Sequence, residues 1–265
     1  MKLERNKKRT IISIIYIILF FLLGWGLYNI FKPVPTCFDG KKNQNELNVD
    51  CGGVCGECKR ELVAKDLEIQ ETAFVLGGEN KYDVVARISN PNISLGSSNF
   101  EYEFSLKDAS GNVLATRTGK DFILPKENKY VIEANLETTA VPASVSFAVK
   151  NYQWSEFSGF EEPRLVIYQL AFSPQSGNFG SSEAGGLLVN ESAFDFNAIR
   201  VNVVLRDESG KIVGLNFTQM QTVNANDQRD FKVIWPLGIA GNPTVEAEPE
   251  ANAFDSQNFI RRYVK

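Results

Sequence analysis

The chain contains no histidine among its 265 residues. That absence excludes a Ser-His-Asp triad, a Cys-His dyad and any metal cage built from imidazoles. Cysteine occurs four times, at Cys37, Cys51, Cys55 and Cys58, and the 207 residues that follow Cys58 carry no thiol. Whatever folds there is held by burial rather than by cross-links. Gly and Pro, 20 and 10 residues, are too few for a collagen-like or low-complexity chain. A basic surplus is missing as well: 28 Lys+Arg against 32 Asp+Glu leave a net charge of −4, which argues against nucleic acid as a partner. No G-x-x-x-x-G-K-[ST] loop and no G-x-S-x-G elbow appears. Gly177, Gly180, Gly185 and Gly186 read instead as an exposed Gly/Ser-rich connection.

Long apolar runs are scarce too, with one exception. Residues 1–10 carry Lys2, Arg5, Lys7, Lys8 and Arg9 against a single acid, Glu4. Residues 11–31 then contain no charge, and 21 residues at about 1.5 Å rise span about 31 Å, the thickness of a hydrocarbon core. Trp25, Tyr28 and Lys32 stand at the distal interface, and Pro33 and Pro35 stop the helix. A cleaved signal peptide would have an apolar stretch of about 7–15 residues and a small-residue cleavage site, and neither is present. The expectation is a retained signal-anchor that makes the membrane a partner, with residues 1–10 as a basic cytoplasmic tail and the remainder outside. The C-terminal domains would then be extracytoplasmic, on a cell membrane protein crossing once. Beyond the first ten residues, 23 Lys+Arg face 31 Asp+Glu, so the exported body carries −8.

Residues 33–60 form a cysteine-rich module. Four thiolates on zinc and two disulfides both fit four cysteines. Cys37 and Cys51 lie 14 apart rather than in a second close pair, and an oxidising compartment favours disulfides, in any of three pairings. The oxygen-bearing Asp39, Asn43, Asn45, Glu46, Asn48 and Asp50 offer ligands to a hard cation such as Ca2+, without EF-hand spacing. The competing reading is a loop of Asx turns whose side chains bond their own backbone. The run is similar to a small module of exported and surface proteins, C-x-D-G-x2-N-x2-E-x3-D-C-G-G-x-C-x2-C. Asp39, Gly40, Asn43, Glu46, Asp50, Cys51, Gly52, Gly53, Cys55 and Cys58 match it as they stand. The resemblance implies a disulfide-held surface module and no reaction.

From Glu61 the pattern has period two. Phe100, Tyr102, Phe104 and Leu106 alternate with polar residues, as do Tyr130, Ile132, Ala134 and Leu136, and Val145, Phe147 and Val149. Asp108-Ala-Ser-Gly111 is turn chemistry. The arrangement recurs about 98–100 positions on: Leu67 and Ile69 with Leu165 and Ile167, Ala73-Phe74 with Ala171-Phe172, Asn90 with Asn190, Asp108–Gly111 with Asp207–Gly210, and Tyr130 with Phe231. The expected fold is mainly β: two tandem Ig-like or fibronectin-III-like β-sandwiches over residues 61–159 and 160–265, behind the transmembrane helix and the small disulfide module. Asn90-Pro91, Leu106–Leu114 and Val201–Val213 resemble the FxLYD and water-stress (late-embryogenesis-abundant) groups, which implies surface or binding modules without catalytic residues.

Glu161, Glu162, Glu246, Glu248 and Glu250 lack a partner base and read as solvated surface. Trp154 and Trp235 read as core or inter-domain packing. Asn92, Asn190 and Asn216 open N-x-[ST] sequons. The expected role is a membrane-anchored extracytoplasmic binding or scaffold protein, without catalysis, whose protein or envelope partner is not named by any motif. The alternatives are a hydrolase using the acids and a passive spacer presenting the cysteine module.

Overall fold

The computed structural model describes residues 2–32, 36–58, 63–157, 161–174 and 181–262. The chain divides into two compact units, residues 1–61 and 62–265.

In the first unit, helix α1 (Lys2–Phe31) is continuous. It runs back through the basic tail, because Lys, Arg and Glu are good helix formers and no Gly or Pro interrupts before Gly24. Its last bond is Lys32 N–H to Tyr28 O at 2.8 Å, just short of Pro33. Lys7–Phe31 is long and apolar enough to cross a membrane. Its large side chains are uncovered by protein, with Phe20 at 76% and Trp25 at 69% exposure. Beyond it, Cys37 pairs with Cys55 and Cys51 with Cys58. The zinc reading falls here: Cys37, Cys55 and Glu46 lie together, but the two sulfurs are bonded to each other.

The second unit is mostly antiparallel strand. Its first half has two sheets, β1 (Glu68–Gly78), β2 (Lys81–Ser89) and β5 (Asn128–Glu137) in the order β1-β2-β5, and β3 (Leu95–Lys107), β4 (Val113–Ile123) and β6 (Ser144–Lys150) in the order β4-β3-β6. Strand β7 (Trp154–Glu156) also pairs with β3. The second half repeats this with β8 (Leu165–Pro174), β9 (Ser182–Asn190) and β12 (Gln228–Trp235), and with β10 (Phe194–Arg206), β11 (Ile212–Val223), β13 (Thr244–Glu250) and β14 (Phe259–Arg262). Each half is a sandwich with its own core. Ile88, Phe100, Phe104, Leu106, Ile123 and Val131 fill the first; Leu188, Phe196, Ile199, Val203, Val223 and Phe231 fill the second. A buried aliphatic or aromatic side chain contributes about 1.5–3 kcal/mol, and neither core contains a cysteine to cross-link it.

The duplication extends to individual bonds. Asn90 is buried where β2 ends, and its amide donates to Leu95 O and Leu124 O, both at 2.8 Å, while its Oδ1 accepts from Asn92 N at 3.0 Å. Asn190 donates to Phe194 O at 2.8 Å and Asn224 O at 3.0 Å and accepts from Ser192 N at 3.0 Å. Asp108 and Asp207 each close their turn by accepting two backbone N–H groups, ahead of Gly111 and Gly210 at φ 85° and 83°. The Asn190 sequon therefore holds an internal bracket, not an exposed acceptor.

Two expectations are corrected. Ser89 pairs with Asn128 and Val189 with Gln228, so Tyr130 corresponds to Asp230, and Phe231 to Val131. A one-residue slip turns a strand side chain to the opposite face: Val131 and Phe231 face their own cores, while Tyr130 faces outward. Gly185 and Gly186 lie inside β9 rather than in a loop, because a Cβ at Gly185 would sit 2.7 Å from Phe231 O. Gly177 and Gly180 lie outside the described residues.

Candidate functional site between the two sandwiches

The outward face of β5 is where the two sandwiches meet. Val85, Tyr130 and Ile132 of the first pack against Val204, Ile212 and Leu215 of the second. A second contact forms where the chain beyond β13 folds back, placing Ala253 and Phe254 against Phe122, Leu124 and Phe157. Gly96 permits that return, since a Cβ there would stand 2.6 Å from the Phe254 ring.

Polar groups pin this face. β5 is an edge strand, and edge amides and carbonyls need partners. Tyr130 N–H donates to Glu248 Oε1 at 3.1 Å, Asn202 Nδ2 donates to Tyr130 O at 3.0 Å, and Arg200 Nη2 donates to Ile132 O at 2.9 Å. The second sandwich thus covers part of the first one's open edge.

Two ion clusters flank it. Lys129 is fully buried, with its Nζ 2.9 Å from Asp121 Oδ1, 2.5 Å from Glu250 Oε2 and 3.0 Å from Phe122 O. Burial alone would discharge this ammonium. Asp121, Glu250 and Glu127 outweigh that and push its pKa up, so Lys129 stays charged. In the second cluster, Arg206 makes a bidentate pair with Glu71 at 2.6 and 2.9 Å and reaches Glu246 at 2.9 Å. Tyr130 Oη donates to Glu246 Oε2 at 2.6 Å. The Arg206 hydrogen bonds hold Glu71 below the usual carboxylate range. Burial pushes Glu248 up to about 7.

The expectation of solvated acids is therefore corrected for Glu246, Glu248 and Glu250. They line one face of β13 and are spent on the first sandwich, whereas Glu161 and Glu162 are exposed. The readable signal was their period of two, which places three acids on one side of a strand. Trp235 is buried in the second core, donating Nε1–H to Leu215 O at 3.0 Å, and Trp154 stacks on Tyr152 against the first. Both are packing residues.

Beside the apolar contact a groove of about 570 Å³ opens between the sandwiches. Val75, Leu76, Ala134, Leu215 and Leu237 line it, together with Asp83. Asp83 is 7% exposed and was not singled out by any motif. Its Oδ1 accepts from Asn135 N at 2.8 Å, and burial pushes its carboxyl up.

The cysteine module brings together four of its five principal oxygen residues. Asp50 accepts from Asp39 N at 3.1 Å and Gly40 N at 3.0 Å, Asp39 from Lys41 N and Asn43 Nδ2 at 2.9 Å each, and Glu46 from Asn43 N and Asp50 N at 3.1 Å each. Asn45 enters through its backbone, at φ 64°, with its carbonyl against Gly53. The carboxylates accept from N–H donors, the arrangement of an Asx-turn loop, while Asn43 Oδ1 is buried without a hydrogen-bond partner.

No family model and no curated protein sequence matches this chain.

Proposed function

We propose that the chain is a single-pass membrane-anchored binding or scaffold protein that works without catalysis, its basic tail in the cytoplasm and its disulfide module and sandwiches on the extracytoplasmic side. The observation that carries this reading is the Lys7–Phe31 helix, whose apolar side chains no part of the protein covers. An uncovered apolar rod of this length is costly in water and stable in lipid. The two disulfides support an oxidising location for the module. The acids that a hydrolase would need, Glu246, Glu248 and Glu250, are engaged with Arg206, Tyr130, Lys129 and Asn202, which supports binding over catalysis.

Protease protection in sealed cells tests the topology. Cleavage of the β region by external protease is the expected result, and full protection overturns it. The passive-spacer alternative draws support from the contacts that join the two sandwiches. Loss of partner capture on substituting residues of the groove, with the anchor intact, would separate the two readings in favour of binding.

A further inference from the structure

We infer that the groove between the sandwiches binds a small organic cation, an ammonium or guanidinium on an apolar body, with Asp83 as its counter-ion. The inference names a ligand class for the binding reading above and rests on that reading, though not on its topology.

The two copies supply the argument. By pairing with the preceding strand, Asp83 of β2, opposite Val75, corresponds to Glu183 of β9, opposite Ser173. Glu183 is answered within its own sandwich by Lys232, whose Nζ lies 2.7 Å from Glu183 Oε1. The residue that corresponds to Lys232 in the first sandwich is Ile132, and among the described residues no Lys or Arg pairs with Asp83. No Lys or Arg lines the groove either. Asp83 is therefore a carboxylate more than nine-tenths buried, with a single backbone donor and no cation. Burying a charge this way is costly, and a buried carboxylate in a cleft without a cation is a candidate binding group.

Local features keep it there. β2 and β5 slip register between Tyr82 and Val84, and Asn135 takes φ 60° to aim its N–H at Asp83. Gly77 lies so close that a Cβ would fall 2.5 Å from Asp83 Oδ2. The groove's volume lies within the roughly 300–1,000 Å³ of small-molecule sites, larger than one lysine side chain needs. Its walls, Val75, Leu76, Leu215 and Leu237, suit an apolar body next to the charge.

The test titrates the full chain in detergent micelles with phenethylammonium and with neutral 2-phenylethanol, by calorimetry, against the Asp83→Asn variant. Asparagine keeps the acceptor for Asn135 N–H and removes only the charge. Saturable binding of the amine, about tenfold weaker in the variant and about tenfold weaker for the alcohol, is the expected result, since one charge-assisted contact is worth that much. Equal binding by amine and alcohol, equal binding by both proteins, or no saturable binding overturns the inference. Binding of a lysine peptide but not of the small amine assigns the groove to a protein partner and overturns it as well. The variant should melt at an unchanged or higher temperature, because it sheds a buried charge. A lower midpoint would make Asp83 a structural pin and sink the idea. An empty groove leaves the protease-protection result standing, and failed topology leaves the groove result standing.

Discussion

The two sandwiches share their strand order, their Asn brackets and their Asp-Gly turns, yet differ on one outward face. In β5, Tyr130 and Ile132 are buried, whereas the matching Asp230 and Lys232 of β12 are exposed. The cores are alike because each must be filled to the same depth. The outer face is free of that demand, so it diverges: one copy became the seat for the other. A repeat can thus keep its fold while a few outward positions decide whether two copies hang separately or lock.

Substitutions at matched positions can break this comparison. The largest effect belongs to Lys129→Ala, which strands Asp121 as an unpaired buried charge and leaves Glu250 only the more distant Arg200, at 3.7 Å. It should cost about 3–5 kcal/mol in guanidinium unfolding. Asn90→Ala and Asn190→Ala each remove at least three side-chain hydrogen bonds to the backbone and should cost about 3 kcal/mol apiece. A large inequality between them would show that the brackets are not equivalent. Glu248 gives a smaller, pH-dependent effect. Its folded pKa is raised to about 7 from 4.5, so its contribution is complete below pH 4.5 and is lost as pH rises through about 7. Glu248→Gln should therefore stabilise the protein by about 2 kcal/mol at pH 8 and by nothing measurable at pH 4, read from melts at both. The smallest effect is Arg229→Ala, at the same strand position as Lys129. Its exposed pair with Asp227 should be worth less than about 1 kcal/mol.

Much of the architecture was readable from local pattern. The uncharged run of residues 11–31, the alternation through Phe100–Leu106 and the spacing of Asp108–Gly111 from Asp207–Gly210 each depend on neighbours in sequence. The interface was not readable, because its partners are distant: Glu246 meets Tyr130 across 116 positions and Arg206 meets Glu71 across 135. Alternating acids on a strand look the same whether they meet water or an arginine. The Tyr130–Phe231 equivalence failed for a related reason. Tyr130, Val131 and Ile132 make the middle of β5 apolar on both faces, so hydrophobicity there could not say which residues turn inward. The disulfide pairing, open among three arrangements in the sequence, needed the loop's path.

A ribosome makes the seat before it makes the cover. Until Glu246, Glu248 and Glu250 are joined to the growing polypeptide, the first sandwich stands with Tyr130 and Ile132 bare and one strand margin unsealed. Unsealed margins recruit strands from neighbouring molecules. Premature termination between the halves would consequently yield an adhesive fragment rather than a smaller working protein.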